Sequence, residues 1–404
     1  MSEIRVTNVI GENGSSPVNF TQGINMSGIV TATAFIPSHG QLSHRNLIIN
    51  GAMNVSQRGT SFTSLGTAYT VDRFRYTENI DTGVVTVTQE SITDLPGFAK
   101  AAKINCTTAE AGVPSKSGSK FAAFNTKLEG QDLQQLAYGT SSAKQITLSF
   151  YVKSNVTGTF CVSLYKGDQT ARNVSLGYTI SSANTWEKKT LTYPADTGGG
   201  GIDNDNGSGL EIYWVVARQQ GYQGAASTTW GNNTDARFAN LCTATIFENT
   251  NDHIMFTGVQ LEVGDTATSF EHRSFVDELR RCQRYYYQVG GITNDGGPDE
   301  VYGVILPHAM CASSTRVKGV LQHPVNMRDA PSISGGGSGT AKIQVGDSSG
   351  SSYLVYNSVW GSSNSTRFTW VDLAPNSGSV SSIGESGIVY ANNSTYHLTV
   401  SAEL

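Results

Sequence analysis

Between residues 83 and 263 one pattern recurs. Short runs rich in Val, Ile, Thr, Tyr and Phe, often alternating with polar residues, are cut off by Gly, Asn and Ser. They read GVVTVTQE (83–90), QITLSFYVKS (145–154), GTFCVSLYK (158–166), WEKKTLTY (186–193), LEIYWVVAR (210–218) and HIMFTGVQLEV (253–263). A period of two bounded by turn residues specifies antiparallel strands with one face buried. No strand–helix rhythm interrupts them, so parallel βαβ folds are excluded. Many strands with long excursions between them predict an all-β jelly-roll sandwich of two antiparallel sheets. The tract ADTGGGGIDNDNGSG (195–209) reads as a loop.

The β pattern returns from Gly290 to Leu404, as EVYGVILPHAM, TRVKGVLQHPVNM, AKIQVGD, SYLVYNSVW, TRFTWVDL, SGIVYAN and TYHLTVSAEL. Seven short strands predict a second, smaller β-sandwich over 290–404. Between the two blocks lies one helix pattern, 274–289. Ser274 stands three residues before Asp277, as in a capping box. Phe275, Leu279, Cys282 and Tyr286 then follow at 4-3-4 spacing, the coiled-coil period. So short a helix is marginal alone and must pack on something. The expectation is a trimer interface formed by those four residues. Residues 1–43 hold only short β-prone pieces, IRVTNVI and GIVTATAFI, among Gly, Ser, Pro and Asn. They are too poor in apolar side chains for a core of their own, which predicts an extended arm ordered against another chain. The jelly roll is then expected over 44–273.

Composition narrows the function. Charged residues make up 15% and the net charge is −5, with no basic block, which argues against nucleic acid as a partner. No apolar run approaches the roughly 20 residues that span a bilayer, and the N-terminus lacks the apolar stretch of a signal peptide. The five cysteines, Cys106, Cys161, Cys242, Cys282 and Cys311, are widely spaced with no C-x-x-C. They read as small buried residues, with no disulfide framework or zinc site expected.

Few residues suggest chemistry. Glu271-His272-Arg273 is the most enzyme-like triplet, but sequence neighbours point in different directions and no spaced second motif accompanies it. A turn with local salt bridges is the expectation. DNDNG (203–207) opens like an EF-hand loop, yet the sixth position is Ser208 and the twelfth Tyr213 where glycine and glutamate belong. Asp203 and Asp205 remain as a weak calcium candidate; no metal or other cofactor is otherwise expected. G-x-S-x-G, H-E-x-x-H and P-loop motifs are absent from the sequence, and no enzyme activity is expected. The C-terminal aromatics Tyr353, Tyr356, Trp360 and Tyr390 are candidate contacts for a ligand such as a sugar, whose apolar face stacks on flat rings. Trp370, in RFTWVDL, is expected in the core.

RNLIINGAMNVSQRG (45–59), YTVDRFRY (69–76) and FTGVQLEVGDTATSFEHRSFVDELRRCQRYY (256–286) together resemble a recurring phage virion family. Its members open the jelly-roll region with an N-L-(L/I)-x-N-G phrase, follow with D-R-(W/F), and close with G-V-Q-L-E and E-L-x-x-C-Q-R-Y-Y. The first 35 residues are similar to attachment arms of marine cyanophage structural proteins, and HPVNMRDAPSI…LTVSAEL to their terminal β domain. Tyr287 is a departure, a third tyrosine where many relatives have two. The resemblance implies a virion appendage such as a tail fibre or spike. It implies a carbohydrate-binding-module-like body and a homotrimer, and supplies no catalytic residues.

The combined expectation is a homotrimeric phage virion protein. Residues 1–43 would fasten it to other virion proteins of tail or capsid, and the distal domain would contact polysaccharide or another receptor on the host surface. A structural decoration or adaptor without receptor binding is one alternative. A polysaccharide depolymerase is the other.

Overall fold

The computed structural model describes residues 44–63, 66–224, 228–291, 303–336, 341–345, 354–362, 365–375, 383–384, 386–391 and 397–404. The expected arm, 1–43, lies outside them. The body is a jelly-roll sandwich. One sheet has six strands in the spatial order Ser61–Thr63, Val84–Ser91, Lys100–Thr108, His253–Val263, Ile146–Ser154, Glu187–Tyr193. The other has seven, in the order Gly231–Asn232, Arg172–Ile180, Gly158–Lys166, Ser208–Arg218, Phe121–Glu129, Phe74–Glu78, Thr67–Tyr69. Their pairings are antiparallel.

Alternation decides what each strand buries. In Ser208–Arg218, Ile212 and Trp214 are fully buried between the sheets while Tyr213 is half-exposed on the outer face. Inside, Phe74 stacks on Phe124 with ring centroids 5.0 Å apart, and Phe124 on Phe256 at 5.9 Å. Trp214 meets Phe150 edge-on at 5.9 Å. Each buried ring stabilises the sandwich by roughly 2–3 kcal/mol. Glu78 sits at the end of this interior. Burial raises its carboxyl to about 7, and the charge of Glu110 adds to that, against a hydrogen bond from the Tyr76 hydroxyl. A folded-state value above the unfolded one favours folding fully at acid pH and loses that contribution as pH rises. Between pH 4.5 and pH 7 the fold is therefore expected to lose about 1–2 kcal/mol from this group, after allowance for its partial exposure. Glu78→Gln should flatten that slope in calorimetric melting curves. Parallel curves for the two proteins would contradict it.

The three phrases of the sequence resemblance fold into one knot. Asn50 takes a left-handed conformation, φ 61°. Its amide Nδ2 donates to Val55 O and Asp72 O at 2.8 and 2.9 Å, its Oδ1 accepts from Val55 N, and its backbone N–H donates to Glu278 Oε1 at 2.9 Å. Gly51 follows because a Cβ there would lie 2.1 Å from Val259 O. Gly51→Ala is expected to destabilise by about 1–3 kcal/mol through that overlap, read as a lower denaturant midpoint. An unchanged midpoint would show that the backbone gives way freely. Glu271 accepts from the N–H groups of Arg45 and Asn46, and Arg273 donates to Asn46 O and Ile48 O. The enzyme-like triplet thus ties the end of the sandwich to its beginning.

The helix is shorter than its pattern suggested. It runs Phe275–Gln283, with Ser274 Oγ accepting from Asp277 N as the expected cap. Arg284 ends it, and Tyr286–Gly290 continues as a strand paired with His397–Ser401. Tyr286 therefore leaves the helix altogether. Cys282 and Tyr286 are buried within their own chain, at 1% and 6% exposure, while Phe275 is exposed and Leu279 half-buried. The expected four-residue trimer stripe does not exist as one free face. A period-3.5 reading assumes a continuing helix, and long-range strand pairing stopped this one.

Past the helix the all-β reading holds, and its finer geometry differs from a sandwich. Val304–Ser313, Arg316–Gln322, Phe368–Pro375, Leu354–Ser362, Ala341–Val345 and Ser386–Ala391 close into a barrel in that order. Tyr286–Gly290, His397–Ser401 and Ser332–Gly336 form a three-stranded sheet beside it. Closure removes the edge strands that a small open sandwich would expose. The barrel encloses Leu306, Ala309, Cys311, Val317, Val371, Leu373 and Val389. The three tyrosines divide the seam between the two cores. Tyr285 donates to Glu129, Tyr286 lies under the Arg58 guanidinium at 3.5 Å, and Tyr287 meets His323 Nδ1 through its hydroxyl at 2.6 Å within the C-terminal core. The extra tyrosine is a packing residue of that core.

Candidate functional site

On the outer face of the seven-stranded sheet, registered side chains form rows. One row runs Lys127, Glu211, Tyr165, Asn173 across four strands, and the next Arg75, Asn125, Tyr213, Ser163, Ser175 across five. A strap from Thr229 to Ala244 covers part of this face. The hydroxyls of Ser163 and Ser175 donate to Phe238 O, and the N–H groups of Thr243 and Ala244 donate to Thr159 O at 2.9 Å. Trp230 anchors the other end of the strap through Nε1 to Pro194 O.

Where the strap stops, a groove of about 170 Å³ remains, lined by Phe121, Tyr165, Tyr213, Tyr222, Asn233, Asp235 and Phe238. Tyr165 and Tyr213 form its floor, both half-buried. Phe238 fixes the wall, with ring centroids 5.0 Å from Tyr213 and 5.1 Å from Phe121. Burial, then the neighbouring Glu211, pushes the Tyr213 hydroxyl well above its ordinary pKa. Burial and Asp235 raise Tyr222 to about 12. Both phenols stay protonated and able to donate at neutral pH.

Two buried polar atoms on these rows lack hydrogen-bond partners, Asn125 Nδ2 and Asn173 Oδ1. Asn125 spends its Oδ1 on Thr77 Oγ1 at 3.0 Å, and Asn173 its Nδ2 on Asn233 Oδ1 at 2.7 Å. Both side chains are fully buried and neither lines the groove, so they are not ligand contacts. One is a donor and the other an acceptor. Glu211, opposite Tyr165 in the register and two positions from Tyr213 on its own strand, is held by Lys127 Nζ at 3.0 Å and by the Tyr213 hydroxyl. The arrangement offers flat aromatic faces with paired charges beside them. It can stack a ring and exchange hydrogen bonds with hydroxyls.

No family model matches the chain, and no curated protein does. Solved structures resemble it in fold alone, three of them as follows. The enzymatically active domain of bacteriophage CBA120 tailspike protein 4 shares 14% identity over 54% of this chain at TM-score 0.29, and the match spans 21% of that protein. A Bacteroides thetaiotaomicron protein named for sugar binding shares 15% over 54% of this chain and 100% of its own, at 0.30. A Clostridium thermocellum family 11 carbohydrate-binding module shares 11% over 52% and 99%, at 0.26.

The residues singled out from sequence lie elsewhere. Tyr390 is buried, at 3% exposure, which removes it as a ligand contact; its strand neighbours Val389 and Ala391 are the ones that join the barrel core. Trp370, expected inside, is 55% exposed; alternation along Phe368–Pro375 buries Val371 and Leu373 and turns Trp370 out. Tyr353 falls outside the described residues, and Tyr356 and Trp360 stand on Leu354–Ser362, described by its backbone only. Asp203 accepts from Gln169 Nε2, 34 residues away, at 2.7 Å, and Asp205 accepts from Gly207 N at 2.8 Å as a turn-forming side chain does. Among the described residues no group of three or more His, Cys, Asp and Glu is arranged around a metal position. Glu271 lines a larger cleft of about 680 Å³ with His44, His272 and Arg280. Burial acts to raise its carboxyl, but the N–H groups of Asn46 and Arg45 and the charge of Arg273 outweigh it and hold the pKa below the ordinary range. A carboxylate so tied is a poor proton acceptor.

The groove was missed from the sequence, although half its signal is there. Alternation in LEIYWVVAR and GTFCVSLYK sends Tyr213 and Tyr165 to the polar faces of their strands. That these faces are neighbours is a matter of long-range register.

Proposed function

We propose that the chain is a homotrimeric phage virion appendage whose jelly-roll body binds a host-surface glycan in the groove between the strap and the seven-stranded sheet. Residues 1–43 would join it to the particle. The observation that carries the reading is the Tyr165–Tyr213 floor with Asn233 and Asp235 lining the same groove. A sugar presents an apolar ring face to the first pair and hydroxyls to the second. The glycan contact therefore moves from the distal domain, where sequence placed it, to the body. Binding rather than depolymerisation is the reading carried forward, with Glu211 beside the floor engaged by Lys127 and the Tyr213 hydroxyl. Three copies on one appendage would strengthen a weak single-site contact through effective concentration.

The test is titration calorimetry of the full chain against envelope polysaccharide isolated from a host. Binding in the micromolar to millimolar range is expected, without release of new reducing ends. Absence of heat across a panel of neutral and acidic polysaccharides would dismiss the binding role, and new reducing ends would replace it with hydrolysis.

A further inference from the structure

The helix and the turn leading into it carry more positive charge than their own contacts engage. Arg273, Arg280, Arg281 and Arg284 line the cleft of about 680 Å³, against two carboxylates, Glu271 and Asp277. The chain as a whole is acidic, with a net charge of −5. Arg280 and Arg284 stand four residues apart and Arg281 and Arg284 three, so a single helical turn makes them neighbours. Arg273 is engaged by Glu271, Glu278 and the carbonyls of Asn46 and Ile48. Arg284 is engaged by Glu129. Arg280, which is exposed, and Arg281, which is half-buried, form no ion pair among the described residues. The acids of the cleft are turned to other donors. Glu271 accepts from the backbone N–H groups of Arg45 and Asn46, and Asp277 accepts from the Ser274 hydroxyl at 2.6 Å. Asp132 feels the charge of Arg281 without pairing with it.

We propose that this cleft is an oxyanion site, in which Arg280 and Arg281 hold the phosphate, sulfate or carboxylate group of an acidic ligand. A guanidinium presents a rigid fork of N–H donors that matches such groups and is only weakly hydrated, so it exchanges water for an anion readily. Two cations side by side on a helix destabilise one another, and an anion held by both removes that repulsion. The cleft volume falls within the roughly 300–1,000 Å³ of small-molecule sites, which leaves room for more than the charged group itself. Val325 is the one aliphatic side chain in the lining. The cleft therefore selects by charge, where the Tyr165–Tyr213 groove offers a stacking floor. A free inorganic ion and a charged group on a polysaccharide present the same oxyanion chemistry.

The experiment is titration calorimetry of the full chain at low ionic strength, where charge attraction is least screened, with sodium phosphate and polygalacturonate as probes. The wild type is expected to bind at least one of them, and Arg280→Ala combined with Arg281→Ala to bind it at least about tenfold more weakly. Arg316→Ala combined with Lys318→Ala removes the same charge from the barrel and should bind as the wild type does. Melting curves without ligand check that each variant folds, and Arg280→Ala alone, at an exposed position, should still weaken binding if the double variant does not fold. Arginine-dependent binding of phosphate alone supports the site with a free ion as its ligand. Arginine-dependent binding of polygalacturonate, displaced by phosphate, supports it with an acidic polysaccharide. No binding of either probe by the wild type would overturn the site, as would equal binding by the cleft variant or equal weakening in the barrel variant. The site does not rest on the glycan groove. Tyr165→Ala should leave phosphate binding unchanged, so failure of the groove and failure of the cleft are separate results.

Discussion

Glu129→Ala should lower the stability of the full chain by about 3–5 kcal/mol, the usual effect of removing one partner of a buried ion pair. Glu129 is 1% exposed and accepts from three side chains at once, Arg284, Tyr285 and Gln131. Arg284 donates through Nε and Nη2 at 2.8 and 2.7 Å, and the Tyr285 hydroxyl donates to the same carboxylate. Removing it strands a guanidinium and a phenol at the seam. The damage would spread, because Arg73 lies 3.4 Å above the Tyr285 ring and pairs with Glu403. Glu129→Gln keeps an acceptor and should lose less, about 1.5–3 kcal/mol. Burial alone would raise the Glu129 carboxyl, but the hydrogen bonds from Arg284 and Tyr285 win and depress it. Its stabilisation is therefore full above the ordinary carboxylate range and drains away as pH falls below that range. Urea midpoints at pH 7 and pH 4 check both parts. Equal midpoints for wild type and Glu129→Ala at pH 7 would mean that the knot is not what joins the two cores.

Tyr165→Ala should weaken glycan binding by about tenfold, corresponding to roughly 1.4 kcal/mol, while leaving the melting transition nearly in place. Tyr165 is the informative position because it lies on the floor half-exposed. Tyr213, by contrast, also packs on Phe238 and Phe121, so its truncation would loosen the strap as well. Tyr165→Phe retains the stacking face and should bind almost as the wild type does. Calorimetry against the polysaccharide that binds wild type separates the two variants. If Tyr165→Ala and wild type bind alike, the ring is not stacking on sugar and the groove loses its assignment.

Residues around the groove show why some of it was legible and some was not. Strand alternation is local, so the all-β fold and the outward placement of Tyr213 could be read directly from LEIYWVVAR. The Ser274 cap was equally local, one side chain reaching the N–H three residues on. Tyr286 was misread because local periodicity continued while the chain turned into a strand paired with residues more than a hundred positions away. Trp370 was misassigned for a related reason: it lies in an alternating run, but which half of the alternation faces inward depends on how the strands close. Tyr390 is buried although Val389 and Ala391 on either side of it are the residues that join the barrel core.

What the sequence determined by itself is therefore the period-two pattern, the turns between strands, the position of one helix start and the lack of a charged or apolar block for nucleic acid or membrane. These follow from steric and solvation preferences acting over a few residues. The groove, the Glu129 knot and the arginine-lined cleft were decided only by tertiary structure. Each gathers side chains far apart in the chain, and such meetings are set by sheet register and core packing, in which the contribution of any residue depends on partners its neighbours in sequence do not name.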